Sequence, residues 1–222
     1  MIWGPLFLSL RLGLIVTAAL LVVTFPLAAL FCRGRWRGLA LFESLATLPM
    51  VLPPTVLGFY LLLAFSPYTA WGAWLNKAIG LKLAFSFSGI VVASCISGLP
   101  FMLQSLKSGM RILDPRLWEA SYTLGKGRIE TYVWVVLPNM APAVASGSIL
   151  TFSHTLGEFG VVLMVGGSIA GQTKTVSIAL FEKVESLDFI IAHQYALVLV
   201  ILSYAGILAI NLIQKKQQRQ TA

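Results

Sequence analysis

Five stretches of this chain are apolar over about twenty residues, and they leave little choice of architecture. They cover residues 11–31, 42–65, 88–106, 140–165 and 189–213. A helix needs roughly 20 mostly apolar residues to cross a bilayer core. Within a bilayer every backbone polar group must be satisfied by the protein itself, which only helices and closed barrels achieve. No segment alternates as a membrane strand would, so the spans read as helices. Charged residues make up 11% of the 222, against about 25% in a soluble domain, and the mean hydropathy is +0.86. The sequence therefore predicts an all-α polytopic membrane protein with about five transmembrane helices, a single domain over residues 1–222.

The net charge of +8 would suit a nucleic-acid partner, but the basic residues sit mostly between apolar spans. Topology explains them better, and no nucleic acid is expected. Arg33, Arg35 and Arg37 follow the first span. Lys107, Arg111, Arg116, Lys126 and Arg128 surround the central loop, and Lys215, Lys216 and Arg219 lie in the tail. With five spans these eleven of the sixteen Lys and Arg share one side. The positive-inside rule then puts the N-terminus outside and the central loop and C-terminus in the cytoplasm. The first span is expected to stay as an uncleaved helix, since the arginines behind it act as a stop-transfer signal.

The two outer loops carry structure of their own. Residues 67–80 bear Tyr68, Trp71 and Trp74 beside Leu75 and Ile79, an interfacial segment with an aromatic belt. Residues 175–187 place Val176, Leu180, Val184 and Leu187 at helical spacing, a short amphipathic helix that seals the bundle or receives an outer partner. Cys32 and Cys95 have neither metal-site spacing nor a disulfide framework and read as small apolar residues.

Residues 114–138 form a charged island of helical character between two spans. Asp114 suits an N-cap and Pro115 the first helical position. A helix over 118–124 follows, Gly125 supplies a left-handed stop, and residues 126–137 restart before Pro138 leads into the next span. Such an elbow can lie in a groove of a soluble partner and transmit its movement to the spans on either side.

Here a resemblance becomes specific. Glu119-Ala120-Ser121, three residues, Gly125, nine residues, Val135, one residue, Leu137-Pro138 is similar to the EAA loop of ABC-importer permeases, with Ser121 and Val135 as conservative departures. The resemblance implies a type I ABC-importer permease with residues 114–138 as its cytoplasmic coupling loop. Glu119 would face a basic residue of an ATPase subunit, small Ala120 and Ser121 would let the elbow nest closely, and Gly125, Leu137 and Pro138 would complete the motif. A second resemblance covers nearly the whole chain. The run from Leu48 to Leu63, with its L-P-P-T-V-L-G core, and the run from His154 to Gly167, followed by residues 169–175, look like the corresponding spans of molybdate ABC-transporter permeases. Sulfate permeases share the G-E-F-G theme of residues 157–160. The resemblance implies molybdate or tungstate import across a bacterial inner membrane. It further implies a homodimer with the path on its two-fold axis, two ABC ATPase subunits, and an extracytoplasmic molybdate-binding protein. No cofactor is expected on this chain, since ATP is used by the partner.

Several intramembrane residues are candidates for a role. Pro49, Pro53 and Pro54 in the second span, and Pro100 in the third, remove backbone donors and bend helices. Bent helices suit a gated pathway or an irregular packed bundle. Ser146, Ser148, Thr151, Ser153 and Thr155 make the fourth span rich in hydroxyls, which line a path or tie helices together. Ser148, Thr151, Ser153, Thr155, Pro53 and Pro54 are the path candidates. Glu158 would repel a doubly charged anion, so it is read as structural, accepting hydrogen bonds from a neighbouring helix. His154, four residues earlier, shares its helical face, and no third ligand suggests a metal. Gly157 and Gly160 permit close helix approach. Arg11 either draws anions toward the entrance or snorkels to the interface.

No Walker A motif is present: Gly166 to Thr175 comes near, but Gln172 stands where a lysine should follow Gly171. No nucleophile elbow, HExxH or cysteine pair occurs either, so the chain is expected to be no enzyme and to draw energy from a partner. The alternatives are a sulfate or other oxyanion permease, a secondary transporter, and an integral-membrane enzyme using His154 and Glu158. A secondary transporter would need a coupling-ion site, yet apart from Glu158 and His154 no buried ionisable network and no repeat is visible, and the enzyme reading leaves the elbow unexplained.

Overall fold

The computed structural model describes residues 3–34, 38–80 and 82–221. Arg35 and Arg37 of the expected basic cluster lie outside the described residues, as do the side chains of Arg33, Leu75, Ile79, Lys216 and Arg219. In chain order the helices are α1 (Trp3–Arg33), α2 (Leu39–Thr47), α3 (Pro54–Phe65), α4 (Ala70–Ile79), α5 (Phe87–Ile112), α6 (Pro115–Thr123), α7 (Arg128–Thr131), α8 (Leu137–Asn139), α9 (Ala141–Gly157), α10 (Gly160–Gly166), α11 (Val176–Glu185) and α12 (Phe189–Thr221). A 3-10 turn, Leu48–Met50, follows α2, and a π-helical turn, Tyr132–Val136, joins α7 to α8. Among the described residues there is no strand.

α5 is the centre of the bundle. α1 and α9 pack on it and on each other, while α3 packs on α10 and α12 packs on α9 and α11. Its start is fixed locally: Ser86 is extended and its hydroxyl accepts from the Gly89 N–H at 3.1 Å. A side chain at Gly89 would fall 1.7 Å from the Leu83 carbonyl oxygen, so only glycine fits that close turn. The main core joins Leu12, Val16 and Leu20 of α1 to Ile90, Met102, Leu103 and Leu106 of α5. Among the described residues α12 is buried only where it meets α11 and α9, at Ala192, Tyr195 and Ile210, and the rest of its apolar surface is open to lipid or another subunit.

Three helices, α1, α5 and α12, are individually long and apolar enough to cross a membrane. The number reaches five when two bent pairs each count as one span, Leu39–Met50 with Pro54–Phe65 and Arg128–Asn139 with Ala141–Gly157. The expected second span, 42–65, is thus broken: its two halves meet at 111°. Pro53 and Pro54 cause this. Neither has an N–H, and the residue before a proline is pushed to extended backbone, as Pro53 is at φ −54, ψ 132. Pro100, by contrast, lies inside an uninterrupted α5.

The expected fourth span, 140–165, also breaks, at Glu158, with no proline near it. Glu158 is extended (φ −70, ψ 123), and its carbonyl accepts from the Ser177 hydroxyl at 2.7 Å. Gly160 then seats α10 on α3, where an added Cβ would lie 2.9 Å from that of Pro54. Of the two glycines expected to allow close approach, Gly160 does so, while nothing lies within 4 Å of a Cβ on Gly157.

α11 differs from its expected pattern. Val176, Ser177, Ile178 and Ala179 are all buried, while Val184 and Leu187 are exposed. The cause is tertiary. The Val176 N–H donates to the Ser9 hydroxyl of α1 at 2.9 Å, so the N-terminal half of α11 is inserted among the spans instead of lying flat. α4 matches the interfacial reading: Trp71 and Trp74 are exposed and stack at 5.1 Å.

Candidate functional site

The central loop folds as two short helical arms. Asp114 is the N-cap of α6, its carboxylate accepting from the Arg116 N–H at 2.9 Å, with Pro115 in the first turn. Gly125 ends the arm at φ +76. The Gly125 N–H donates to the Tyr122 carbonyl at 2.9 Å and the Lys126 N–H to that of Ser121 at 3.2 Å. This is the double bond pattern of a Schellman stop. The second arm begins at Gly127, whose N–H donates to Glu130 at 3.2 Å.

Three ties hold the arms to each other and to the bundle. Ser121, 3% exposed, shares a 2.9 Å hydrogen bond with Thr131, whose hydroxyl also reaches the Gly127 carbonyl. Trp118, buried on the same face, meets Tyr132 edge-on at 4.9 Å, and Tyr132 meets Phe25 of α1 at 5.9 Å. Ser121 is therefore occupied inside the elbow, while Ala120 is exposed beside Glu119. Trp118 and Thr131 were not singled out from the sequence. Their spacing from Tyr132 and Ser121 carries meaning only once the Gly125 turn folds the arms together.

The outward face is a different surface. Glu119 is exposed and takes part in no ion pair among the described residues. Elsewhere on the loop Leu124 and Ile129 are about four-fifths exposed, and Tyr122 and Trp134 are exposed as well. Exposed apolar side chains and a carboxylate without an internal ion pair thus share this loop. Leu137 and Pro138 are exposed at the end of the second arm. The π turn ahead of them gives way to α8 where Pro138 has no N–H to offer, and the Asn139 side chain donates to the Val135 carbonyl at 2.7 Å.

The intramembrane candidates are not gathered on one surface. Thr151 and Thr155 are buried in the helix core, with Thr155 donating to the Thr151 carbonyl at 2.9 Å. Ser148 and Ser153 line a groove of about 480 Å³ shared by α1, α9 and α12. Pro53 and Pro54 lie exposed at the break before α3. Glu158 is buried beside Ser94 and Ser97 of α5, and its Oε2 has no hydrogen-bond partner among the described residues. His154 Nε2 stands 4.0 Å from Glu158 Oε1, beyond hydrogen-bond reach, and its ring stacks on Phe101 at 4.3 Å. Among the described residues no group of His, Cys, Asp and Glu is placed to hold a metal ion. Arg11 lies over the Phe87 ring at 4.7 Å, near the start of α5. The glycine-rich stretch after α10 closes on itself, Thr173 accepting from the Ile169 N–H and donating to the Gly166 carbonyl.

Comparison with known proteins agrees with this architecture. The chain is 41% identical over 204 residues to the molybdenum transport system permease protein ModB of Azotobacter vinelandii, covering 91% of this chain and 90% of that one. It is 33% identical over 194 residues to the sulfate transport system permease protein CysT of Escherichia coli K12, covering 87% and 70%. In three dimensions it is similar to a chain of the methionine ABC transporter MetNI in an inward-facing form, with TM-score 0.66, 15% identity and 96% and 93% coverage. A bacterial ABC transporter that imports alginate gives TM-score 0.68 at 13% identity, covering 97% and 80%. Residues 24–221 match the family model described as the binding-protein-dependent transport system inner membrane component, and the chain belongs to that family.

Proposed function

We propose that this chain is the membrane-spanning subunit of an ATP-driven molybdate importer. The observation that carries the reading is the elbow: two arms fastened to each other and to α1, with an unpaired carboxylate and exposed apolar residues facing away from the bundle. The elbow is the docking element for a separate ATPase subunit, with Glu119 pairing with a basic residue there. Gly125 sets the angle between the arms, and Leu137 and Pro138 join the second arm to the fourth span. Two copies of the chain form the path, each with one ATPase, and a binding protein delivers the anion at the outer face. ATP is hydrolysed by the partner, and no cofactor is held by this chain. ATP binding draws the elbows together and opens the path outward, so free energy enters as differential affinity of the ATPases for the two states.

Molybdate is favoured by the 41% identity to a molybdenum permease across nine-tenths of both chains. Sulfate is the second reading, favoured by the 33% identical sulfate permease. The N-terminus lies outside and the C-terminus in the cytoplasm. Purification of the tagged chain should bring down a soluble ATPase, and reconstituted vesicles should take up molybdate in preference to sulfate. Uptake of sulfate alone selects the second reading, and uptake without ATP and without an associated ATPase overturns both. Cysteines introduced at Thr69 and Lys126 should label from opposite faces of intact cells.

A further inference from the structure

Lys107 of α5 is only 7% exposed, and its ammonium is paired with the Glu43 carboxylate of α2. The pair borders a pocket of about 370 Å³ between the broken second span and the elbow end of α5. Thr47, Gln104, Ser108, Arg111 and the apolar Ile112 line the rest of it. An ammonium, a guanidinium, an amide and two hydroxyls around one space are the donors that a four-oxygen dianion can use at once. Glu43 is the only acidic group in that lining.

The two partners are held very differently. α5 is the most enclosed helix of the bundle, whereas α2 has no buried residue and no side-chain cap at Gly38. The Glu43 side chain is itself about one-third exposed. Glu43 can therefore swing away at little packing cost, but the buried Lys107 cannot be left without a counter-charge. Whatever replaces Glu43 has to be an anion. The neighbouring donors are only lightly committed: Gln104 donates to the Met50 sulfur at 3.4 Å, a weak acceptor, and the Thr47 hydroxyl returns to carbonyls of its own helix.

We propose that this pocket is a holding site for a tetrahedral oxyanion dianion at the elbow end of the path, in which Glu43 is the resident competitor for Lys107. The site lies five residues before the end of α5, and one residue, Leu113, separates that end from the elbow's N-cap. Release of the transported anion and re-formation of the Glu43–Lys107 pair are one exchange on the helix that carries the elbow. The inference rests on the importer reading for its direction of transport.

The test uses the full chain in lipid nanodiscs, titrated calorimetrically with molybdate and with sulfate, against chloride at matched ionic strength. Glu43→Gln removes the internal competitor and should tighten dianion binding at least about tenfold. Molybdate should also raise the melting temperature of Glu43→Gln more than that of the unaltered chain. Arg111→Gln, at an exposed position, should weaken binding at least about fivefold. The Glu43→Gln, Lys107→Gln double variant leaves no unpaired charge, so it should fold and show no response to either dianion. Unchanged or weaker binding by folded Glu43→Gln overturns the proposal, as does full binding by the double variant or an equal gain with chloride. If no ATPase associates with the chain, the importer reading fails while this titration stands; a flat titration with normal uptake removes the site alone.

Discussion

The elbow and α11 are both short helices set between spans, and they treat their charges in opposite ways. At α11 and the turn after it two carboxylates are used within the chain, Lys174 pairing with Glu182 at 2.5 Å and Lys183 with Asp188 at 3.0 Å, while Glu185 is exposed. Four consecutive residues at its start are buried, and α1 supplies the hydroxyl that accepts its first N–H. At the elbow Trp118 and Ser121 of α6 are buried with Thr131 and Val136 of the second arm, and Glu119 takes part in no ion pair among the described residues. One region uses its charges within the chain, and the other leaves Glu119 exposed and without an internal ion pair. The contrast is what the proposed roles, a seal at α11 and a docking surface at the elbow, would produce from two amphipathic sequences.

Charge reversal at Glu119 is the strongest way to break the comparison. Glu119→Lys should weaken ATPase association by about 2–5 kcal/mol, the cost of disrupting an interfacial charge pair. Insertion and melting temperature should stay unchanged, because no internal pair is lost. Normal co-purification and normal uptake by this variant would remove the elbow from the coupling role. Gly125→Val comes next. Nothing lies within 4 Å of a Cβ there, so the penalty is purely the left-handed backbone at φ +76, about 1–2 kcal/mol. Limited proteolysis should cut the elbow faster while the spans stay protected; unaltered cleavage would mean that the turn tolerates a side chain.

At the other region, Ser177→Ala removes the donor to the Glu158 carbonyl and should cost about 1 kcal/mol of thermal stability. ATPase association should be unaffected. A loss of association instead would show that the two regions are not independent. The smallest effect is that of acid. Burial pushes the Glu182 carboxyl up, but hydrogen bonds from Lys174 and Ser168 and the charges of Lys174 and Lys183 outweigh it and hold it below its usual 4.5. A hydrogen bond from Lys183, opposed by slight desolvation and aided by the Ile191 N–H, holds Asp188 below its usual 3.8. Depressed carboxyl values stabilise the fold above the unfolded values, and that contribution fades as pH falls through the folded ones. Hydrogen-exchange protection at residues 182–191, taken relative to the intrinsic rate at each pH, should therefore fall below pH ~4 more than at residues 116–131. An equal fall in both regions would dissolve the distinction.

What the sequence disclosed follows from the range of the interactions involved. The Asp114 cap, the Pro115 start and the Gly125 stop are settled within a few residues, and each is where the sequence placed it. Proline likewise foretold a disturbance in the second span, although not a turn as sharp as 111°. The break at Glu158 has no local cause. It depends on a hydroxyl nineteen residues away and on Gly160 meeting Pro54, and periodicity cannot register either. The buried face of α11 was misjudged for the same reason, since Ser9 lies 167 residues before the N–H that it receives. Hydroxyl content marked the fourth span but not which way each side chain points: Thr151 and Thr155 turn into the core, and Ser148 and Ser153 to the groove.

The single residue between α5 and the elbow has a mechanical consequence. One extended residue offers about 3.8 Å of chain and almost no slack, so α6 cannot shift without taking the end of α5 with it. At 1.5 Å per residue the 26 residues of α5 make a rod of about 39 Å. If its far end stays anchored at the Ser86 cap, a sideways step of about 3 Å at the elbow tilts the whole rod by about 4°, the ratio of that step to its length. Midway along, that is a displacement of about 1.5 Å, half the elbow's step by the same ratio. Under the proposed coupling the geometry would act as a twofold reducing lever, halving any step of the elbow by the point where α1 and α9 press against the rod.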